Sequence, residues 1–166
     1  MALKEQINQD LKEAVKKKEE LPSMVLRMLS AVLLNKEKEK RYKISKNNPE
    51  IKEQELVEKS HLTEEEIIEA VSSEVKKRME AAVEYEKGNR LESAEKEKKE
   101  AEILKKYLPE QLSKEELEKL VAKAVQETGA TSQKDMGKVM AALMPDVKGR
   151  ADGSLISKIV KELLTS

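Results

Sequence analysis

The sequence predicts an all-α protein: an N-terminal helical bundle over residues 1–108 followed by a small three-helix C-terminal domain over 109–166. Three observations lead there. Apolar residues recur three or four apart through most of the chain, and no stretch shows the period-two alternation of a half-buried strand. Start signals recur: Thr63 with Glu66, and Ser113 with Glu116, have the hydroxyl-then-carboxylate spacing of a capping box. Stop signals at Gly88, Pro109, Gly129 and Pro145 separate the periodic runs.

Taken in order, the first helix is expected from Leu3 to Glu20, with Leu3, Ile7, Leu11, Ala14 and Val15 as its apolar stripe. Pro22 suits the start of a second helix, where a missing N–H costs nothing. Met24, Val25, Met28, Leu29, Val32 and Leu33 cover a face wide enough for a central, largely buried helix. The run NKEKEKRYK (35–43) extends it as a solvated arm, and ISKNNPE (44–50) reads as a loop because Asn47-Asn48-Pro49 disfavours helix. Residues 41–61 thus form a polar, mobile insertion. After the Thr63 cap, Ile67, Ile68, Val71, Val75, Met79, Ala82 and Val83 mark a helix that Gly88 stops in a left-handed conformation. Leu91, Ala94, Ala101, Leu104 and Leu108 mark the next, with EKEKKEAE as its polar face. In the tail, the Ser113-capped helix carries Leu117, Leu120, Val121, Ala124 and Val125. Ser132 caps a helix with Met136, Val139, Met140, Leu143 and Met144 inward and Pro145 after it. Asp152 caps the last, with Leu155, Ile156, Ile159, Val160, Leu163 and Leu164 inward.

Composition closes off several functions. There is no cysteine, so disulfides, cysteine–zinc sites, iron–sulfur clusters and thiol catalysis are excluded. One histidine, His61, rules out a multi-histidine metal site, and no metal or cofactor is expected. Without Phe or Trp there is little material for an aromatic base-stacking platform. Thirty-three Lys and Arg balance thirty-three Asp and Glu, so any nucleic-acid affinity must come from a local face. No apolar run approaches the roughly 20 residues that span a bilayer. MALKEQINQD lacks an apolar signal core. A cytoplasmic protein without membrane partners is expected.

The segment ETGATSQKDMGKVMAALMPDVKGRADGSLISKIVKELL (127–164) resembles the YqeY family and is similar to the tail domain of the B subunit of tRNA-dependent amidotransferases. Gly137, Pro145, Gly149, Arg150 and Gly153 occur together in the family's order. LRMLSAVLLNKE (26–37), SEVKKRMEAAVEYEKGNRLESAEKEKKE (73–100) and ILKKYLPEQLS (103–113) agree with it; about 41–61 lies outside the resemblance. The resemblance implies two helical domains and a tRNA-contacting tail. It carries over no catalytic residue, although family naming attaches the label of a carbon–nitrogen ligase using glutamine as amido donor.

Candidate sites concentrate in the tail. Residues 133–161 hold Lys134, Lys138, Lys148, Arg150, Lys158 and Lys161 against Asp135, Asp146 and Asp152, a local excess of three cations. Lys134, Lys138, Lys148, Arg150 and Lys158 are the RNA-binding candidates, able to track a phosphate backbone. The loop VKGRADG (147–153) supports two readings. Glycines and a helix N-terminus could take a phosphate, or Gly149, Asp152 and Gly153 could build a capped turn. Gly137, inside a helix, calls for compensation by close packing or by ligand approach. Arg90, at a helix start, calls for an ion pair with a glutamate of a neighbouring helix. The arm 35–43, five basic and two acidic residues, is a solvated helix end or reaches a partner. His61 is an exposed loop residue. Met136, Met140 and Met144 are core residues or a groove for a partner helix. The resulting expectation is a non-catalytic module that binds tRNA or other structured RNA. The alternatives are a protein-interaction adaptor without RNA and, third, a ligase component.

Overall fold

The computed structural model describes residues 2–165, and among them every regular element is helical. The elements are α1 (Leu3–Lys16), α2 (Glu20–Asn47), α3 (Glu53–Ser60), α4 (Glu64–Lys87), α5 (Leu91–Lys105), α6 (Lys114–Thr128), a 3-10 turn (Gln133–Asp135), α7 (Met136–Val147) and α8 (Gly153–Leu164). The all-α reading stands. The chain divides into two compact units, Met1–Tyr107 and Leu108–Ser166.

In the first unit, α4 and α5 form a hairpin. Ala70, Ala82, Ala94 and Ala101 are all buried, and their small side chains let the two helices approach closely. Ile7 and Ala14 of α1, Val25, Leu26, Leu29 and Leu33 of α2, and Leu56 of α3 complete the core. Tyr107 closes it, its hydroxyl donating to Asp10 Oδ2 at 2.7 Å. Burial and the Asp10 carboxylate both push that phenol well above its usual range.

Several boundaries differ from the sequence expectation. α1 stops at Lys16, and Lys18 takes a left-handed φ of 57°. The N–H of Glu19 then reaches back to the carbonyl of Ala14 at 2.9 Å, the pairing of a Schellman stop. Pro22 lies third in α2, still within the turn whose N–H groups have no helical partner. α2 runs on through Asn47, so residues 44–47 are helix and not loop; it ends at the residue before Asn48-Pro49. The arm is not merely solvated. Lys40 donates to Glu66 Oε2 at 2.7 Å and to the carbonyl of His61, and Arg41 pairs with Glu53 of α3. Glu37 takes Lys4 of α1 at 2.6 Å and the N–H of Leu62, with His61 Nδ1 at 3.5 Å. Burial pushes the Glu37 carboxyl up, but Lys4, Leu62 and His61 outweigh it and hold it below the ordinary range. Within 41–61, residues 41–47 are the end of α2 and 53–60 are the whole of α3, joined by a short connection over 48–52.

Gly88 has φ −81° and is not the left-handed stop; Asn89 is, at 54°. Asparagine is among the few residues with a side chain that adopt that conformation routinely. Arg90 finds no glutamate. Its guanidinium stands 4.9 Å from the centre of the Tyr85 ring, a cation–π contact. Val15, Met28, Val83, Leu91, Met144, Leu155 and Leu163 are exposed although each belongs to an apolar stripe of the sequence. All lie at the flanks of stripes, where the arc covered by a neighbouring helix is narrower than the apolar arc of the sequence.

The second unit is a three-helix core. Leu117, Val121 and Ala124 of α6 meet Val139, Leu143 and Val147 of α7 and Ile156, Ile159, Val160 and Leu164 of α8. Met136 and Met140 pack against its edge, in line with the core reading. Pro145 lies inside α7 and not after it. In the last turn its ring forfeits one backbone bond, and the fully buried Val147 holds that turn in place.

Candidate nucleic-acid interface

The tail site is assembled by the loop between α7 and α8. Lys148 ends α7, and Gly149 turns the chain with a left-handed φ of 73°. Arg150 then stitches the loop to the segment preceding α6. Its Nε donates to the carbonyl of Glu110 at 3.1 Å, and its Nη1 to the carbonyl of Asp146 at 3.2 Å. The backbone joins in: the N–H of Leu112 donates to the carbonyl of Arg150 at 2.8 Å, and Gln111 Nε2 to that of Gly149 at 2.7 Å. Asp152 caps α8, its Oδ1 accepting from the N–H groups of Ser154 (2.7 Å) and Leu155 (3.2 Å). Those are the donors a phosphate at this helix start would need, so the capped-turn reading of the loop is the one the geometry follows. Gly153 has no positive φ, and its place is the first residue of α8.

The lysines are placed differently. Lys134 sits in the 3-10 turn and Lys138 in the first turn of α7, both exposed and away from the buried Val139 and Leu143. Lys158 is exposed on α8, opposite Ile156 and Val160. Lys148 is half-buried at the loop. Acids stand beside Lys138 and Lys158: Asp135 lies 3.6 Å from Lys138, and Glu162 lies 4.0 Å from Lys158. Exposed pairs of this length contribute at most about 1 kcal/mol, and a polyanion can displace them. Asp135 also binds its own loop, accepting from the N–H groups of Thr131 and Ser132 and from the Ser132 hydroxyl. The Thr131 N–H leads in holding its carboxyl below the usual range.

Gly137 is the unexpected member. A side chain there would meet nothing within 4 Å, so helix packing does not compensate it. It leaves bare, exposed backbone between Lys134 and Lys138. Gly137→Ala is therefore expected to stabilise the second unit by about 0.5–1 kcal/mol, read as a higher urea midpoint with an unchanged slope.

Sequence reasoning missed two features. One is the structural use of Arg150, whose targets are backbone carbonyls that no motif spacing reveals. The other is a buried ionic cluster in the first unit. Arg78 Nη1 donates to Glu74 Oε2 at 2.9 Å and to the Glu74 carbonyl, and Arg78 Nε donates to Glu100 Oε2 at 3.2 Å.

A family model described as "Yqey-like protein" matches residues 33–164, a range that takes in 41–61 and every tail candidate. No curated protein matches the chain. Among the described residues, no helix is long and apolar enough to cross a membrane.

Proposed function

The chain belongs to the YqeY family, and from that we propose that it is a non-catalytic helical binding module that takes structured RNA, tRNA foremost, on its second unit. The observation that carries this reading is the Lys134–Gly137–Lys138 surface. Two exposed cations flank a glycine whose helix cost has no packing return. A phosphate backbone can approach bare helix there more closely than any side chain would allow. The local excess of three cations over residues 133–161 and the likeness of 127–164 to a tRNA-contacting tail domain point the same way. Arg150 contributes by holding the loop; the two hydrogen bonds it gives to carbonyls use two of its five N–H donors. With no Phe or Trp in the chain, recognition rests on backbone shape and charge, not stacked bases.

The test is titration of labelled tRNA with the full chain at several salt concentrations. Affinity is expected to fall linearly with salt on logarithmic axes, at a slope of about 0.7–0.9 per phosphate contact. Lys134→Glu, Lys138→Glu and Lys158→Glu together should weaken binding by at least about tenfold, near 1.4 kcal/mol, and flatten that slope. Affinity and slope indifferent to the three reversals would overturn the proposal.

A further inference from the structure

The second unit has another surface, of opposite character. A groove of about 560 Å³ runs between α6 and α8. On α6 it is lined by Glu115, Glu118, Lys119 and Ala122, which stand at i, i+3, i+4 and i+7 and so share one face. On α8 it is lined by Ile159, Glu162 and Leu163, again one face. Two helix faces side by side make a linear trough. The α6 wall alone is about 10 Å long at 1.5 Å per residue, or two helical turns. Its floor is apolar, and Leu163 keeps 41% of its surface in solvent. Its rim carries three carboxylates and one ammonium.

We propose that this trough docks a basic amphipathic helix of a protein partner. The partner's apolar side would lie on the exposed Ala122 and Leu163, over the buried Ile159 at the base of the trough, and its Lys and Arg flanks would meet Glu115, Glu118 and Glu162. This is helix-in-groove recognition, with anchors at helical spacing. Charge decides between occupants. RNA is repelled by the carboxylate rim. A second copy docking the same patch on itself would set these carboxylates against each other, since a two-fold interface pairs a surface with its own image. The existing partners of the rim do not stand in the way. Lys114 lies 3.6 Å from Glu118 and Lys158 lies 4.0 Å from Glu162, both lysines mostly exposed. Such pairs exchange for a partner's cations at little cost.

The experiment uses the full chain and three synthetic peptides of about 15 residues, a length at which an isolated helix is marginal and binding can order it. One has leucines at i, i+3, i+4 and i+7 flanked by lysines; one has the same leucines flanked by glutamates; one is a scramble of the first. Fluorescence anisotropy should show the lysine-flanked helix binding at least about tenfold more tightly than either control. Amide shift changes should centre on Ala122, Ile159 and Leu163. Leu163→Asp should abolish the preference while leaving tRNA affinity unchanged. Ala122→Arg, at an exposed position, gives the same readout should Leu163→Asp lower the melting temperature. Equal binding of the scramble, shifts centred on α7, no binding by the lysine-flanked peptide, or a dimer of the chain that Leu163→Asp dissolves would each overturn the proposal.

Discussion

Arg78→Ala is expected to destabilise the first unit by about 3–5 kcal/mol, read as a lower urea midpoint. The Arg78 side chain is only 7% exposed, between Glu74 at 11% and Glu100 at 8%. It bonds both carboxylates and so ties α4 to α5. Lys77 adds a second cation on Glu74 at 2.7 Å, which balances two acids with two bases. Burial pushes the Glu74 carboxyl up, but Lys77 and Arg78 outweigh it and the group stays below the usual range. Removing the guanidinium leaves Glu74 its lysine and strands Glu100, a buried carboxylate without its partner. That stranded charge, more than the lost attraction, sets the cost. The control follows from this account. Arg78→Met combined with Glu100→Gln removes charge and counter-charge together and fills most of the volume. The pair should therefore lose much less than Arg78→Ala. Urea melts of Arg78→Met, of Glu100→Gln and of the pair close the cycle. A double variant as unstable as the sum of its parts would show that Glu100 is not coupled to Arg78.

This cluster also shows where the sequence stops being readable. Along α4 the buried positions are Ile67, Ala70, Val71, Glu74, Val75, Arg78 and Ala82. Arg78 occupies the slot between Val75 and Ala82 that helical spacing assigns to the core, yet an apolar-only reading passes it over for Met79. Glu100 adjoins buried Ala101 in a run otherwise exposed, so EKEKKEAE looks like a uniform polar face. Which charged residue turns inward depends on how α5 is rotated against α4, and no local pattern records that. Capping is the opposite case. The Thr63–Glu66 and Ser113–Glu116 boxes form as spaced, because each bond spans three residues and needs no tertiary partner. Asp152 behaves likewise. The helix stops were legible as places but not always as residues: Gly129 ends α6 as expected, at a left-handed φ of 64°, while Asn89 displaces Gly88 by one position. In the candidate site, Lys134, Lys138 and Lys158 were recognisable as outward-facing because they oppose a strong stripe. Arg150 was not recognisable as a staple, since the carbonyls it binds belong to residues 110 and 146, brought together only by the fold.

Leu143→Ala is expected to cost the second unit about 2–5 kcal/mol. Leu143 is 2% exposed and faces α6 and α8 from the middle of α7, within a core of ten buried side chains. The unit spans Leu108–Ser166, 59 residues once the first 107 of 166 are set aside. At about 0.05–0.15 kcal/mol per residue, a domain of that size holds roughly 3–9 kcal/mol in total, so a single cavity consumes from about a quarter of it to all of it. Leu143→Met conserves volume and should cost under about 1.5 kcal/mol. Because each unit has its own core, hydrogen exchange should report the loss in α6–α8 while Val71, Ala82 and Leu104 keep their protection. Exchange accelerating equally in α4 and α5 would show that the two cores unfold as one. The same variant bears on function. At a temperature where the second unit of Leu143→Ala has unfolded and the first has not, tRNA affinity should be lost. The Lys134, Lys138 and Lys158 charges are still in the chain then, but no helix spaces them, so retained affinity would place the RNA contact in the first unit.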